Sequence, residues 1–178
     1  MGLITAVSTQ GLIRMAPEWK SVSKDYQTYL QLKGGFNMAI LAVALSVFSI
    51  VENIGSWLPD WWILASGWLV LTLFLLLFWA PRRYRFTGYA ETDEAMYLRR
   101  GALWRLQRGV PLNRIQHVEI KESLLERMLS LSHLVIYTAG SSGADLAIPG
   151  LKPDEAERIK SSLITEVANE PDADELSE

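Results

Sequence analysis

Charged side chains almost vanish between positions 34 and 80, where Glu52 and Asp60 are the only two, and return in force beyond Ala80. Two apolar runs fill that block. The first, residues 34–51 (GGFNMAILAVALSVFSIV), holds 18 residues without a formal charge. As a helix it spans roughly 27 Å, close to the ~30 Å hydrocarbon core of a bilayer. The second, residues 61–80 (WWILASGWLVLTLFLLLFWA), is long enough without stretching. Trp57, Trp61, Trp62 and Trp79 lie near its ends, where indole rings favour the membrane–water interface. Two buried helices of a soluble bundle are the competing reading, and runs this long, uncharged and Trp-flanked argue for a transmembrane hairpin. The short 52–60 linker, with Gly55 and Pro59, makes the helices antiparallel neighbours. Asn37, Ser46, Ser49, Ser66 and Thr72 are the polar side chains inside the runs, and a transporter or proton relay would place ionisable groups there instead. Small residues at Ala42, Ser46, Ser66 and Gly67 suit close packing of this hairpin, or of a partner's helices against it.

Beyond Pro81 the period shortens to that of strands. Residues 83–90 (RYRFTGYA) alternate, with Tyr84, Phe86 and Gly88 on one face. Residues 95–100 follow an acidic turn as a second strand, 104–112 read as a third, and 115–121 (IQHVEIK) as a fourth. In that fourth strand Ile115, His117, Glu119 and Lys121 oppose Gln116, Val118 and Ile120. Residues 123–131 carry helical spacing in Leu124, Leu125, Met128, Leu129 and Leu131. Further strands at 134–138 and 146–148 flank a turn at 140–143. A last helix starts at Pro153, with Asp154, Glu155 and Glu157 suited to its positive end. Ala156, Ile159, Leu163 and Val167 form its apolar face. The closing EPDADELSE is acidic and apolar-poor, the composition of a disordered tail. The predicted organisation is a cytoplasmic segment 1–33, a transmembrane hairpin 34–80, a domain 81–169 and a tail 170–178.

About six strands in antiparallel meander order, closed by an amphipathic helix, is the plan of a pleckstrin-homology (PH)-like barrel, so the predicted class is an α+β membrane protein. Residues 111–140, PLNRIQHVEIKESLLERMLSLSHLVIYTAG, resemble the YdbS-like family of bacterial PH-domain membrane proteins. The shared pattern is a Pro-Leu-x-x-Ile-Gln-x-Val core, a short Leu-rich helix and a strand ending in Thr-Ala-Gly. The RRG of the preceding strand pair, the IPGL before the last helix and the two-helix anchor extend the resemblance over about residues 15–168. Ser130-Leu131 departs from it, because family members often carry a Gly there. The resemblance implies a fold and names no chemistry. It also implies a hetero-oligomeric partner, a larger membrane protein bearing several such domains.

Charge adds topology. Arg14, Lys20, Lys24 and Lys33 precede the hairpin, the linker has no Lys or Arg, and Arg82, Arg83 and Arg85 follow at once. By the positive-inside rule both termini are cytoplasmic and the membrane is crossed twice; the resemblance implies that this is a bacterial inner membrane. No cleavable signal pattern precedes the first run. Overall the chain has 178 residues, 49% of them hydrophobic, and no cysteine, which excludes disulfides, thiolate nucleophiles and Cys-ligated metals. With His117 and His133 as the only histidines, no transition-metal set, no cofactor and no enzyme are expected. His117 reads as a surface side chain, Ser141-Ser142-Gly143 lacks a nucleophile elbow, and no phosphate-binding Gly loop occurs.

The strongest feature is basic. Arg82, Arg83, Arg85, Arg99, Arg100, Arg105 and Arg108 are seven arginines within 27 positions, with Trp104 beside them near a predicted hairpin tip. One reading seats this face on anionic headgroups and phospholipid, at about 1 kcal/mol per basic residue near the surface. The other makes Arg82–Arg85 a topology signal, the rest solvated strand residues and Trp104 part of the core. A phosphoinositide pocket is disfavoured, because the loop between the first two strands is Ala90-Glu91-Thr92-Asp93-Glu94. Two functions remain: an assembly scaffold forming homo- or hetero-oligomers, or a lipid-sensing module in envelope homeostasis or resistance to membrane-active compounds. Nucleic-acid binding is set aside, since the arginines sit by a membrane and lack interleaved aromatic residues.

Overall fold

The computed structural model describes residues 17–51, 61–139 and 145–169. Arg14, the 52–60 linker with Trp57, the 140–143 turn and the acidic tail lie outside the described residues. A two-residue strand β1 (Lys20–Ser21) leads into α1 (Asp25–Val51). Ser23 starts this helix, its hydroxyl accepting from the Asp25 amide at 3.4 Å. The helix therefore begins nine residues ahead of the first apolar run, because DYQTYLQLK contains no Pro and no Gly to stop it. Helix α2 (Trp61–Phe74) continues through a π-helical turn (Leu75–Trp79) into α3 (Ala80–Arg85). Among the described residues two helices, Asp25–Val47 and Trp62–Arg85, are long and apolar enough to cross a membrane.

The strand expected at 83–90 is corrected by this continuation: residues to Arg85 are helical, and strand begins only at Gly88. Proline explains the form of the junction. In the π turn the Ala80 N–H donates to the Leu75 carbonyl, five residues back. The Leu76 carbonyl would next accept from residue 81, but Pro81 has no N–H. Gln31 of α1 supplies the missing donor, its Nε2 lying 3.1 Å from that carbonyl. The helix thus passes its proline without ending, and α1 is bonded to it there.

Among the described residues seven short strands follow the expected antiparallel order, with one addition. β1, β2 (Gly88–Glu91), β3 (Ala95–Gly101) and β4 (Arg105–Pro111) form one sheet in that order. A 3₁₀ turn (Leu112–Arg114) leads to β5 (Ile115–Lys121), then α4 (Leu124–Met128), β6 (Ser132–Thr138) and β7 (Leu146–Leu151), the second sheet being β5-β6-β7. Among the described residues the strands form these two ladders rather than one closed barrel. β7 runs on past Pro149 to Leu151, which an edge strand permits. A bulge between Ile115 and His117 overrides the alternation expected in β5, so Ile115 and Val118 are both buried. Helix α5 (Pro153–Asn169) buries Ala156, Ile159 and Leu163 as expected; the Val167 side chain lies outside the description.

The segment before the hairpin, expected as a cytoplasmic lead-in, joins the domain. Val22, Tyr26 and Tyr29 belong to the same core cluster as Met96, Leu98, Leu134, Ile136, Ile148 and Ile159. Gly150 of the IPGL stretch makes room for them. Its φ is +70°, and a Cβ there would meet Tyr26 Cγ at 2.5 Å, while its carbonyl accepts from the Ser23 amide at 2.8 Å. A polar lattice ties α5 to the first sheet. The Tyr89 hydroxyl donates to Glu155 at 2.5 Å, and Arg158 pairs with Glu155 at 3.0 Å and with Glu91 at 3.3 Å. Arg158, then Tyr89, hold the Glu155 carboxyl below its ordinary range, whereas burial, then the bond to Glu155, hold the Tyr89 phenol well above its own.

The departure at Ser130 is also explained. Ser130 has φ 51°, the left-handed position that ends α4, and the Leu131 amide returns to the Glu126 carbonyl at 2.8 Å.

Two substitutions should move stability in opposite directions in thermal unfolding of the detergent-solubilised chain. Gly150→Ala should cost at least about 2 kcal/mol, from left-handed strain plus overlap with Tyr26. Ser130→Gly should be neutral to stabilising by up to ~1 kcal/mol. Equal, small effects of both would contradict these assignments. A second expectation concerns acid. Because the folded Glu155 value is depressed from 4.5, its contribution is full above that pH and fades as pH falls through the folded value. Glu155→Gln should therefore flatten the loss of stability in acid below about pH 5, and an unchanged acid profile would show that the lattice does not bear on folding.

Candidate functional site

The eight residues singled out from the sequence divide over several surroundings. Hairpin β3–β4 pairs Arg100 with Leu106 and Gly101 with Arg105, so the tip comprises Ala102, Leu103 and Trp104, as expected. Trp104 is 86% exposed and Leu103 65%, which removes the reading of Trp104 as core. The tip is fastened to the end of the second membrane-length helix: Arg82 Nε donates to the Ala102 carbonyl at 3.0 Å. The Arg82 guanidinium also lies over two rings, 5.6 Å from the Phe78 centroid and 5.5 Å from that of Phe86. Arg105 comes over Phe86 at 5.0 Å. Each such contact contributes about 0.5–1 kcal/mol at an exposed site.

Helix position, for Arg83 and Arg85, and strand pleat, for Arg99, Arg100 and Arg108, separate the remaining arginines. Arg99 points away from the core side, with its guanidinium 4.6 Å from the Trp19 centroid and a buried Nε that has no hydrogen-bond partner among the described residues. Gly88 admits it, since a Cβ there would meet the Lys20 carbonyl at 2.8 Å and Arg99 Nε at 3.2 Å. Arg83 and Arg100 are half-buried and both lie near the Tyr26 hydroxyl. Arg85 is exposed. Arg108 lines a separate cleft of about 460 Å³ with Arg114, Thr138 and Asp145. Only Arg82, Trp104 and Arg105 meet at the tip.

Aromatic rings are therefore interleaved with these arginines, contrary to the sequence reading. Phe78, Arg82 and Phe86 recur every fourth residue, a spacing that would have shown their common face had the helix been extended through Arg85. Their ring faces are taken by the protein's own guanidinium groups. A second cluster went unnoticed, on β5 and β6. Lys121 Nζ lies 2.6 Å from Glu119 and 2.8 Å from the Tyr137 hydroxyl, and His117 lies 3.2 Å from Glu119. Lys121, then burial working against it, leave Glu119 with a lowered pKa, and Lys121 is raised chiefly by Glu119. The other histidine, His133, meets the buried Glu126 at 3.1 Å. No group of three or more His, Asp or Glu side chains suited to a metal is found among the described residues.

Comparison with known proteins gives one finding. The family model described as bacterial PH domain matches residues 34–167, a stretch that takes in the later part of α1, the second membrane-length helix, strands β2 to β7 and most of α5. No curated protein and no solved structure matches the chain. With three quarters of its length under that match, and with two antiparallel sheets closed by a C-terminal helix behind it, the chain belongs to the bacterial PH domain family.

Proposed function

We propose that this protein is a non-enzymatic module of the bacterial inner membrane, held by a two-helix hairpin with both ends cytoplasmic, whose PH domain lies against the inner leaflet through the β3–β4 tip. The observation that carries this reading is the Arg82 bond to Ala102. It holds Trp104 and Leu103, both largely exposed, beside the end of a membrane-length helix. Trp suits the headgroup region, and Arg82, Arg85 and Arg105 add attraction to anionic lipid within a Debye length. The hydroxyls of Ser66 and Thr72 are returned to helix carbonyls at 2.9 Å, as lipid surroundings demand. Lipid sensing in envelope homeostasis is the role this placement suits. Hydrogen exchange of the full chain in nanodiscs should be slower across residues 101–106 when the lipid includes phosphatidylglycerol than in phosphatidylcholine alone. Equal exchange in both would contradict the lipid contact.

Assembly is the second reading, favoured by a different observation. From Arg105 to Gly109 the edge strand β4 is exposed throughout, and a free edge accepts a partner strand. Partners of that kind are a second copy of this chain or a larger membrane protein with several PH domains. Gly67 has nothing within 4 Å of its Cβ position, so one helix face is also open to a neighbour. Native mass spectrometry from mild detergent should show oligomers, alone or with a co-purifying membrane protein; monomer only would count against assembly.

A further inference from the structure

The domain approaches the helix pair at a second place, on the side of α4. This helix turns Leu125 and Leu129 into the core and is closed by a capping box, with the Ser123 amide donating to Glu126 at 2.8 Å. Its other side leaves Leu124 80% and Met128 75% exposed, one turn apart. A soluble domain gains nothing from two such side chains in water.

They wall an apolar groove of about 1060 Å³, together with Leu32, Phe36 and Ala39 of α1 and Leu76 and Leu77 of the π turn. The groove adjoins a hollow lined by Phe36, Ala39, Ile40, Val43 and Ala44 on the same helix, within the apolar run that crosses the membrane. Its level is fixed by packing: Gln31 bonds the Leu76 carbonyl, and a Cβ at Gly34 would lie 3.6 Å from the Leu76 side chain. Lys33 is the last charge before the apolar run, so this level is where hydrocarbon gives way to headgroups. Arg82 stands six residues further on, roughly 9 Å toward the cytoplasm. Lys33 also lines the groove, its ammonium 3.2 Å from the Tyr29 hydroxyl.

We infer that α4 is a foot set into the cytoplasmic leaflet, and that the groove between α4 and α1 holds a phospholipid of that leaflet. Its acyl chain lies along Phe36, Ala39 and Val43, and its phosphate sits beside Lys33. Continuity of the groove with the lipid-facing surface of α1 selects this occupant, and Lys33 supplies the matching charge. Arg127, exposed and 3.8 Å from Glu122, reaches outward from the foot as interfacial basic residues do. The inference rests on the membrane-anchored reading above.

The absence of cysteine makes the test direct. Nitroxide labels at Leu124→Cys, Met128→Cys, Val43→Cys and Thr165→Cys are compared in proteoliposomes of phosphatidylethanolamine and phosphatidylglycerol. Labels at 124 and 128 should collide with oxygen and be shielded from a water-soluble nickel chelate, as at 43, and be several-fold less open to nickel than at 165. If 43 is shielded while 124 and 128 are as open as 165, the foot is wrong and the anchor stands. If 43 is itself open to nickel, the anchor and the foot fail together. For the lipid, the full chain is delipidated gently and phosphatidylglycerol retention is read by native mass spectrometry. Lys33→Gln should lower retention several-fold; unchanged retention would overturn the groove site.

Discussion

Everything in this molecule depends on α1 being a single helix. Its first turns place Tyr26 and Tyr29 in the core of the domain, and its later turns carry an apolar run long enough to cross a membrane. A helix without a break transmits orientation, so burying Tyr26 beneath Gly150 sets how the domain is oriented on the apolar part of α1. Deleting the segment before the hairpin would remove core side chains along with β1, which pairs with β2 through Lys20–Tyr89 and Ser21–Gly88.

The second helix completes the coupling at its most vulnerable point. Pro81 would ordinarily end or kink a helix. Here a π turn absorbs it, and the carbonyl it strands is taken by Gln31. An unmet carbonyl in apolar surroundings costs on the order of several kcal/mol. The same bond aligns Lys33 with Leu76, and from that level the positions of the Arg82–Ala102 tip and of α4 follow. The β3–β4 tip and α4 lie on separate elements of the domain, each beside the helix pair.

Much of this plan was legible in the residues. Charge-free blocks mark the two long helices, alternation marks most of the strands, and Ala156, Ile159 and Leu163 mark the buried face of α5. What could not be read follows a common cause. Val22, Tyr26 and Tyr29 sit in a polar stretch, and their burial is created by sheets that are distant in sequence. At 83–90 a strand-like alternation competes with a helix already propagating, and propagation wins because the proline is accommodated upstream. In β5 a single bulge reassigns faces that alternation had assigned. Of the site, the basic cluster and the hairpin tip were visible, while the residues alone left Trp104 between an exposed and a core position. Its division between helix α3 and the two faces of the β3–β4 hairpin, the stacking of Arg82 between Phe78 and Phe86, and the exposure of Leu124 and Met128 came only with the three-dimensional arrangement.

The most direct test of the coupling is a distance distribution between spin labels at Val43→Cys and Thr165→Cys in one chain reconstituted in nanodiscs, read by double electron–electron resonance. A rigid joint through α1 gives one narrow distribution that broadens when helix-breaking glycines replace Leu32 and Lys33. A broad distribution in the parent chain, unaltered by those glycines, would mean that the domain swings free of its anchor, and the placement of tip and foot at the bilayer would fall with it.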